Sequence, residues 1–179
     1  MEKKDLKPAG VFKYFEEICQ VPRPSKKEEK MIAYLKAFGA KHNLETKVDE
    51  AGNVLIKKPA TPGKENLQTV VLQSHIDMVC EKNNDVQHDF LTDPIETEID
   101  GEWLKAKGTT LGADNGIGVA TELAILADDS IEHGPLECLF TVDEETGLTG
   151  AFALQEGFMS GDILLNLDSE DEGEIFIGC

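Results

Sequence analysis

Positive charge is scarce in this sequence. Lysine and arginine together number 17 against 35 aspartates and glutamates, which gives a formal net charge of −18. A surface of this sign repels the phosphate backbone of nucleic acids and the anionic head groups of membranes. The composition therefore argues against nucleic acid and membranes as partners.

Long apolar runs are also missing, and so is a targeting segment. No stretch approaches the roughly 20 apolar residues that a membrane span requires. Residues 1–17 are charged and contain neither a continuous apolar stretch nor a small-residue cleavage pattern, so they do not form a secretory signal. The sequence predicts a soluble protein of the cytoplasm.

Cysteines are few and are not grouped. Cys19, Cys80, Cys138 and Cys179 are scattered along the chain without a C-x-x-C pair. A chain of 179 residues buries about 70% of the surface of its unfolded state, so it does not need disulfides for stability. We expect reduced thiols and, from the length, a single domain.

Helical and extended patterns alternate along the chain. Apolar residues at helical spacing predict helices over 11–19, 31–38, 119–129 and 149–157. Ser25 and Glu28 form an S-x-x-E pattern, which predicts a capping box at the start of the second helix. Strand patterns lie at 45–49, 53–58, 68–77, 136–143 and 162–168. The alternation predicts an α/β layered fold.

Two further segments carry extended patterns. Asp100-Gly101 lies between extended runs over 96–107, which predicts a hairpin with Trp103 as a packing residue. The C-terminal GEIFIGC, 173–179, has a strand pattern that stops without a polar tail. We expect the natural chain to continue beyond it.

Metal-capable side chains occur where four strands or loops end. They are His75 and Asp77 after VVLQS, Asp114 in GADNG, Glu144 and Glu145 after CLFTVD, and Asp168 after ILLNL. In open α/β sheets, ligands bind outside the carboxyl ends of the strands. We therefore expect these side chains to converge on one site.

The residue types at these strand ends suit a zinc site. Imidazole and carboxylate groups bind Zn²⁺, and a bridging carboxylate can hold two ions roughly 3.5–4 Å apart. Asp77 shares a strand face with His75, so it could accept the second imidazole N–H and fix the tautomer. Glu144 and Glu145 would point to opposite sides of an extended chain, which would leave one free as a base.

Each of these residues, taken singly, also fits a hydrogen-bonded or solvated polar position. Their joint placement at predicted strand ends is what favours a metal site. The remaining histidines, His42, His88 and His133, lie in polar loops, and no role is assigned to them.

Four motifs together resemble the dinuclear zinc exopeptidases related to carboxypeptidase G and aminoacylase. The motifs are SHIDMV, GTTLGADNGIGVA, TVDEETGLTGA and LNLDSED. Among these enzymes, the sequence is most similar to the cytosolic aminoacyl-histidine dipeptidases. The resemblance extends over essentially the whole chain and implies that residues 1–179 are the N-terminal part of a longer catalytic domain. A lid domain and a returning catalytic segment would lie beyond Cys179.

The resemblance implies a ligand set for two Zn²⁺ ions, with Co²⁺ or Mn²⁺ as alternatives. His75 and Asp168 would bind one ion and Glu145 the other, while Asp114 would bridge both. A cis peptide between Asp114 and Asn115 is also implied.

Two further roles follow from the resemblance. Asp77 would orient His75, and Glu144 would be the general base for a water that bridges the two zinc ions. The implied reaction is hydrolysis of the peptide bond in Xaa-His dipeptides. Alternatives are a related tripeptidase, an acyl-amino-acid deacylase, or a metal-binding fragment without catalysis.

The family takes one more histidine ligand and its contacts to the substrate carboxylate from segments beyond Cys179. We therefore expect the 179-residue chain to have a defective second metal site and to be inactive alone. The resemblance also implies a homodimer of the longer protein, formed through its lid domain.

Overall fold

A five-stranded sheet forms the centre of the fold, which a computed structural model describes for residues 2–169 and 173–177. The strands are β1 (Glu45–Val48), β2 (Val54–Lys58), β3 (Val70–His75), β4 (Thr97–Asp100), β5 (Trp103–Ala106), β6 (Leu136–Thr141) and β7 (Ile163–Asn166). The central sheet has the order β1-β2-β6-β3-β7, and β4 pairs with β5 as a separate hairpin. Strands β6, β3 and β7 are parallel, whereas β2 is antiparallel to both β1 and β6.

Helices cover the sheet and complete the predicted α/β fold, which is confirmed. A 3-10 helix (Lys3–Asp5) precedes α1 (Ala9–Cys19), α2 (Glu29–Lys41), α3 (Ala113–Ala127) and α4 (Thr149–Ala153). The main core joins α1, α2 and α3 to one face of the sheet through residues such as Phe15, Leu35, Leu123 and Phe140. Leu55, Val71 and Leu139 form a smaller cluster, which faces the other way because side chains alternate along a strand. Burial on both faces explains the continuous apolar runs of β3 and β6.

The start of α2 differs from the prediction. Glu28 occupies the N-cap position and makes no side-chain capping bond, so the predicted Ser25–Glu28 capping box is wrong. Lys26 has a φ of 66°, which turns the chain before the helix begins. The Ser25 hydroxyl donates instead to Asp77 Oδ2, 2.7 Å away.

Other local predictions also change. The hairpin forms around Asp100-Gly101, but Trp103 is 72% exposed and does not act as a packing residue. Helix α3 begins inside GADNG, earlier than predicted, and α4 ends at Ala153 rather than at 157. Residues 173–177 form no strand, and 178–179 lie outside the described residues.

The described part of the chain contains three of the four cysteines. Cys19, Cys80 and Cys138 are free, as expected, while Cys179 lies outside the described residues. Within 2–169 and 173–177, no helix is both long and apolar enough to cross a membrane.

Candidate metal centre

Three neighbouring parallel strands deliver the predicted side chains to one end of the sheet. His75 is the last residue of β3 and lies opposite Thr141, the last residue of β6. Glu144 and Glu145 follow β6, and Asp168 follows β7. The predicted convergence at the carboxyl ends of the strands is therefore observed.

A cavity of about 760 Å³ opens at this end of the sheet. Asp114, Glu144, Glu145 and Asp168 line it, together with Asn115 and apolar groups of Ile117 and Leu167. Asp114 enters from the start of α3, where it and Asn115 have non-helical backbone angles. The peptide bond between these two residues is cis, as predicted.

His75 is the residue around which the carboxylates gather. Its Nε2 atom lies 3.0 Å from Asp114 Oδ1, 3.8 Å from Glu144 Oε2 and 3.8 Å from Asp168 Oδ1. The imidazole is 1% exposed, whereas the side chain of Asp114 is 76% exposed. The histidine thus lies at the base of the site, with the carboxylates between it and solvent.

Two of the groups of donor atoms that are compact enough to hold a metal ion share His75. One contains His75, Asp114 and Asp168, and the other contains His75, Glu144 and Glu145; within each group the atoms lie within 4.8 Å of one another. The first group matches the ligand set predicted for one ion. Asp114 and Glu145 fall in different groups, so the predicted bridging arrangement is not reproduced as a single cluster.

Asp77 contacts His75 on the side opposite the other carboxylates. It is completely buried, and its Oδ1 atom lies 3.2 Å from His75 Nδ1. The same carboxylate accepts hydrogen bonds from the Ser25 hydroxyl and from the backbone N–H groups of Glu144 and Glu145. Burial alone would raise the pKa of Asp77, but these hydrogen bonds outweigh it and lower the pKa to about 2. The ionised carboxylate keeps the proton on Nδ1 and leaves Nε2 facing the carboxylates that line the cavity.

The sequence predicted that Glu144 and Glu145 point to opposite sides of an extended chain. The structure differs from this prediction. Asp143, two residues after the end of β6, has a φ of 49°, so the chain is no longer extended when it reaches the two glutamates. Both glutamate side chains line the same cavity, and both belong to the donor group around His75. A division into ligand and base must therefore come from their individual positions in the cavity.

The charges of the site fit a bound cation. Burial raises the pKa values of Glu144, Glu145 and Asp168, and repulsion from neighbouring carboxylates adds to this increase. Burial would lower the pKa of His75, but its hydrogen bonds to Asp77 and Asp114 raise it to about 9. The carboxylates thus draw positive charge to the position of Nε2. A divalent ion bound by one imidazole and several carboxylates would supply that charge.

Four residues that surround the site were not predicted from the sequence to belong to it. Asn115 Nδ2 donates to Asp168 Oδ1 at 2.6 Å and so orients a predicted ligand. Ser25 contacts Asp77, Arg23 contacts the backbone near His75, and Glu28 contacts the backbone of Asp143. Asn115 could have been identified from the sequence, because it directly follows the predicted ligand Asp114. Residues 23–28 could not, because their contacts to the site are long-range in the sequence.

Comparison with known proteins identifies a family and close relatives of this chain. Residues 71–176 match Peptidase family M20/M25/M40. A protein of Escherichia coli (strain K12) named cytosol non-specific dipeptidase is 53% identical over 178 residues, which is 99% of this chain and 37% of that protein.

Solved structures of peptidases also match this chain. The crystal structure of aminoacylhistidine dipeptidase from Vibrio alginolyticus is 56% identical, with a TM-score of 0.96 over 100% of this chain and 36% of that one. Aminopeptidase PepT from Bacillus cereus is 26% identical, with a TM-score of 0.76 over 90% of this chain and 43% of that one. The chain therefore spans 36–37% of the length of the first two relatives.

Proposed function

The chain belongs to peptidase family M20/M25/M40, and we propose that it contributes the metal-binding part of a dipeptidase active site. The observation that carries this proposal is the convergence of four cavity-lining carboxylates, those of Asp114, Glu144, Glu145 and Asp168, around the buried His75. The proposed reaction is metal-dependent hydrolysis of the peptide bond in dipeptides. The names of the relatives that are 53% and 56% identical support this substrate class.

We propose that the site holds two divalent ions, with Zn²⁺ as the first choice and Co²⁺ or Mn²⁺ as alternatives. His75 and Asp168 would bind one ion, Glu145 would bind the second, and Asp114 would reach both. The bound ions would polarise the scissile carbonyl and lower the pKa of water, as divalent metals do in hydrolases. Both donor groups include His75, whose single free nitrogen can bind one ion, so the second ion would lie beside the first and would depend on carboxylates.

Glu144 is the proposed general base. Its Oε2 atom lies 3.8 Å from His75 Nε2, its side chain is 28% exposed, and it lines the cavity. Burial raises its pKa, repulsion from Asp168 and Glu145 adds to this, and the His75 charge opposes it. A carboxylate with a raised pKa can take a proton from water and then deliver it to the departing amine.

Asp77 has a positioning role in this proposal. Its contacts to His75 and to the backbone of Glu144 and Glu145 connect the end of β3 to the turn after β6. One carboxylate therefore sets the relative position of the imidazole and of both glutamates. A hydrogen bond from the second imidazole nitrogen to a carboxylate orients a metal-bound histidine and raises its basicity.

Xaa-His dipeptides are the proposed specific substrates within this class. The name of the Vibrio alginolyticus relative supports histidine as the C-terminal residue, whereas the name of the Escherichia coli relative supports a broader range. A substrate panel should therefore compare Xaa-His dipeptides with other dipeptides. It should also include a tripeptide and an acyl-amino acid, because the chain resembles an aminopeptidase at 26% identity.

We further propose that residues 1–179 are one part of a longer catalytic domain and that the second ion is held weakly by this part alone. Among the described residues, His75 is the only histidine in either donor group around the cavity. One ion would then have three protein ligands, and the other would depend on Glu145 and a shared Asp114. The cytoplasm is the proposed location, which the name of the Escherichia coli relative supports.

Zinc titration and a hydrolysis assay together test the proposal. We expect calorimetry to detect Zn²⁺ binding to the purified 179-residue chain, and Glu144→Gln to retain it. Hydrolysis is measured as histidine release by a chimera in which this chain replaces the matching 37% of the Escherichia coli relative. The Glu144→Gln chimera should bind zinc and release no histidine. Absence of zinc binding by the wild-type chain, or full activity of the Glu144→Gln chimera, would overturn the proposal.

A further inference from the structure

Arginine occurs once in this sequence, at position 23, and the other 16 basic residues are lysines. The side chain of Arg23 is buried, with a residue exposure of 2%. A guanidinium group remains charged in proteins and carries five N–H donors, so its burial requires well-placed acceptors. The acceptors that Arg23 uses are all close to the candidate metal centre.

The guanidinium connects two segments that carry predicted ligands. Its Nη1 atom donates to the carbonyl oxygens of Ile76 at 3.2 Å and Asp77 at 3.1 Å, directly after His75. Its Nη2 atom donates to the carbonyl oxygen of Gly112 at 2.6 Å, two residues before Asp114. None of the ion pairs in the described part of the chain includes Arg23. Its contacts therefore act on backbone position.

The glycines of the α3 entry leave room for this guanidinium. A Cβ atom at Gly112 would lie 2.5 Å from Arg23 Nη2, and one at Gly116 would lie 2.7 Å from the same atom. Gly112 also has a φ of +67°, which side-chain-bearing residues rarely adopt. Two glycines and one arginine thus fit together at the point where the chain turns toward Asp114.

The backbone next to Arg23 strengthens the same connection. The N–H of Met78 donates to the Arg23 carbonyl oxygen at 3.2 Å, and Pro24 forms a parallel bridge with Met78. Ser25 donates to Asp77, and Glu28 Oε1 accepts the N–H of Asp143 at 3.0 Å. Residues 23–28 therefore contact the end of β3, the start of α3 and the turn after β6.

We propose that Arg23 is a positioning residue of the metal centre, which fixes the separation between His75 and Asp114 through the carbonyls of Ile76, Asp77 and Gly112. This inference rests on the proposed function, because it assumes that His75 and Asp114 bind metal. A planar guanidinium can donate in two directions within one plane, which a lysine ammonium cannot reproduce. The requirement at position 23 is thus for arginine rather than for positive charge alone.

The alternative is that Arg23 stabilises the fold without affecting the metal. Lys58 provides a matched control, because its buried ammonium also donates to backbone carbonyls, those of Ile125 at 3.1 Å and Asp128 at 2.8 Å. These acceptors lie at the C-terminal end of α3, away from the ligand residues at its start. Loss of either cation should reduce stability, but only loss of Arg23 should change metal binding.

The test compares Arg23→Ala, Arg23→Lys and Lys58→Ala in the 179-residue chain. Zinc affinity is measured by calorimetry, coordination geometry by the visible absorption of bound Co²⁺, and stability by urea unfolding. We expect Arg23→Ala to lower zinc affinity about 10–100-fold, the range seen when residues that orient metal ligands are lost. Added methylguanidine should restore affinity and the Co²⁺ spectrum to Arg23→Ala, and Lys58→Ala should keep both at wild-type values.

The outcomes separate this inference from the proposed function. If the wild-type chain binds no zinc, the proposed function fails and the role of Arg23 fails with it. If the wild type binds zinc and Arg23→Ala binds it equally, with an unchanged Co²⁺ spectrum, only the positioning role is wrong. If Arg23→Ala does not fold, Arg23→Lys decides: reduced zinc affinity with an altered spectrum supports the role, and wild-type values overturn it.

Discussion

The Nδ1 atom of His75 lies 3.2 Å from Oδ1 of Asp77, and the two side chains are 1% and 0% exposed. Three further donors reach the same carboxylate, namely the Ser25 hydroxyl and the backbone N–H groups of Glu144 and Glu145. One buried anion therefore connects the imidazole to the two glutamates. Its removal should disturb every part of the site that lies at the ends of β3 and β6.

Replacement of Asp77 by Asn should weaken metal binding. An amide has a single acceptor oxygen and two donors of its own, so it cannot satisfy four donors at once. We expect the Zn²⁺ affinity of Asp77→Asn to fall about 10–100-fold, measured by calorimetry at neutral pH. The unmatched buried donors should also lower the free energy of unfolding by about 1–3 kcal/mol.

Glu137→Gln is the matched control for this variant. Glu137 is 2% exposed and accepts hydrogen bonds from Lys57 and Ser160, but it lies at the opposite end of β6 from the cavity. The Glu137→Gln variant should be less stable than the wild type and should keep wild-type zinc affinity. Equal zinc affinity in Asp77→Asn and the wild type would contradict a positioning role for Asp77.

Metal titration should resolve one tight and one weak binding event. The tight event is assigned to the group of His75, Asp114 and Asp168, and the weak one depends on Glu145. We expect Asp168→Ala to remove the tight event, Glu145→Ala to remove the weak one, and Asp114→Ala to weaken both. Calorimetry and equilibrium dialysis both report the number of bound ions. Two events of equal affinity in the wild-type chain would contradict the assignment.

Asn115 should matter for metal binding although it is not a predicted ligand. It is 2% exposed, its Nδ2 atom donates to Asp168 Oδ1 at 2.6 Å, and its Oδ1 atom accepts the N–H of Gly118 at 3.1 Å. Replacement by Ala frees Asp168 to rotate and leaves the Gly118 N–H without this acceptor. We expect roughly tenfold weaker zinc binding and a loss of about 1–3 kcal/mol of stability.

The comparison for Asn115 is Asn166→Ala. Asn166 Nδ2 donates to Gln73 on the exposed side of the β3–β7 pair, and its Oδ1 atom accepts the N–H of Asp168 at 3.2 Å. This side chain therefore contacts the backbone of the predicted ligand and not its carboxylate, so zinc affinity should fall less in this variant than in Asn115→Ala. An Asn115→Ala chain that binds zinc as tightly as Asn166→Ala does would show that Asp168 needs no orientation.

The local sequence was sufficient to predict the metal-capable strand ends. Apolar runs that end in polar residues identified β3, β6 and β7, and the parallel alternation placed their carboxyl ends together. The side chains around His75 followed from that topology. The orientation of Glu144 and Glu145 did not, because it depends on the positive φ of Asp143, which no local pattern indicates.

Long-range contacts account for the remaining differences between the sequence predictions and the structure. Ser25 matches a capping pattern, yet its hydroxyl donates to Asp77, which is 52 residues away in the chain. Arg23 contacts Gly112 across 89 residues. Trp103 is exposed because the β4–β5 hairpin is separate from the central sheet and leaves this side chain uncovered. Such pairings depend on the tertiary fold, and a single sequence does not reveal them.

Glu122 should make stability depend on pH in the opposite sense to most carboxylates. It is fully buried in α3, and both carboxyl oxygens lack a hydrogen-bond partner in good geometry. Burial raises its pKa well above the ordinary value, and the smaller opposing effect of Ser74 and Cys138 does not offset this. The folded state therefore keeps the proton above pH ~4.3, where the unfolded chain releases it.

The sign of the effect follows from this difference in bound protons. Stability is greatest below the unfolded pKa and falls as pH rises toward the folded pKa, by up to about 1.4 kcal/mol per pH unit. Glu122→Gln cannot titrate, so its unfolding free energy in urea should exceed that of the wild type by a margin that grows with pH. Hydrogen bonds from Lys57 and Ser160 outweigh burial and lower the pKa of Glu137. The stability deficit of Glu137→Gln should therefore grow with pH only up to about pH 4.3 and stay constant between pH 5 and 8. A margin for Glu122→Gln that is constant between pH 5 and 8 would mean that Glu122 is ionised in the folded protein.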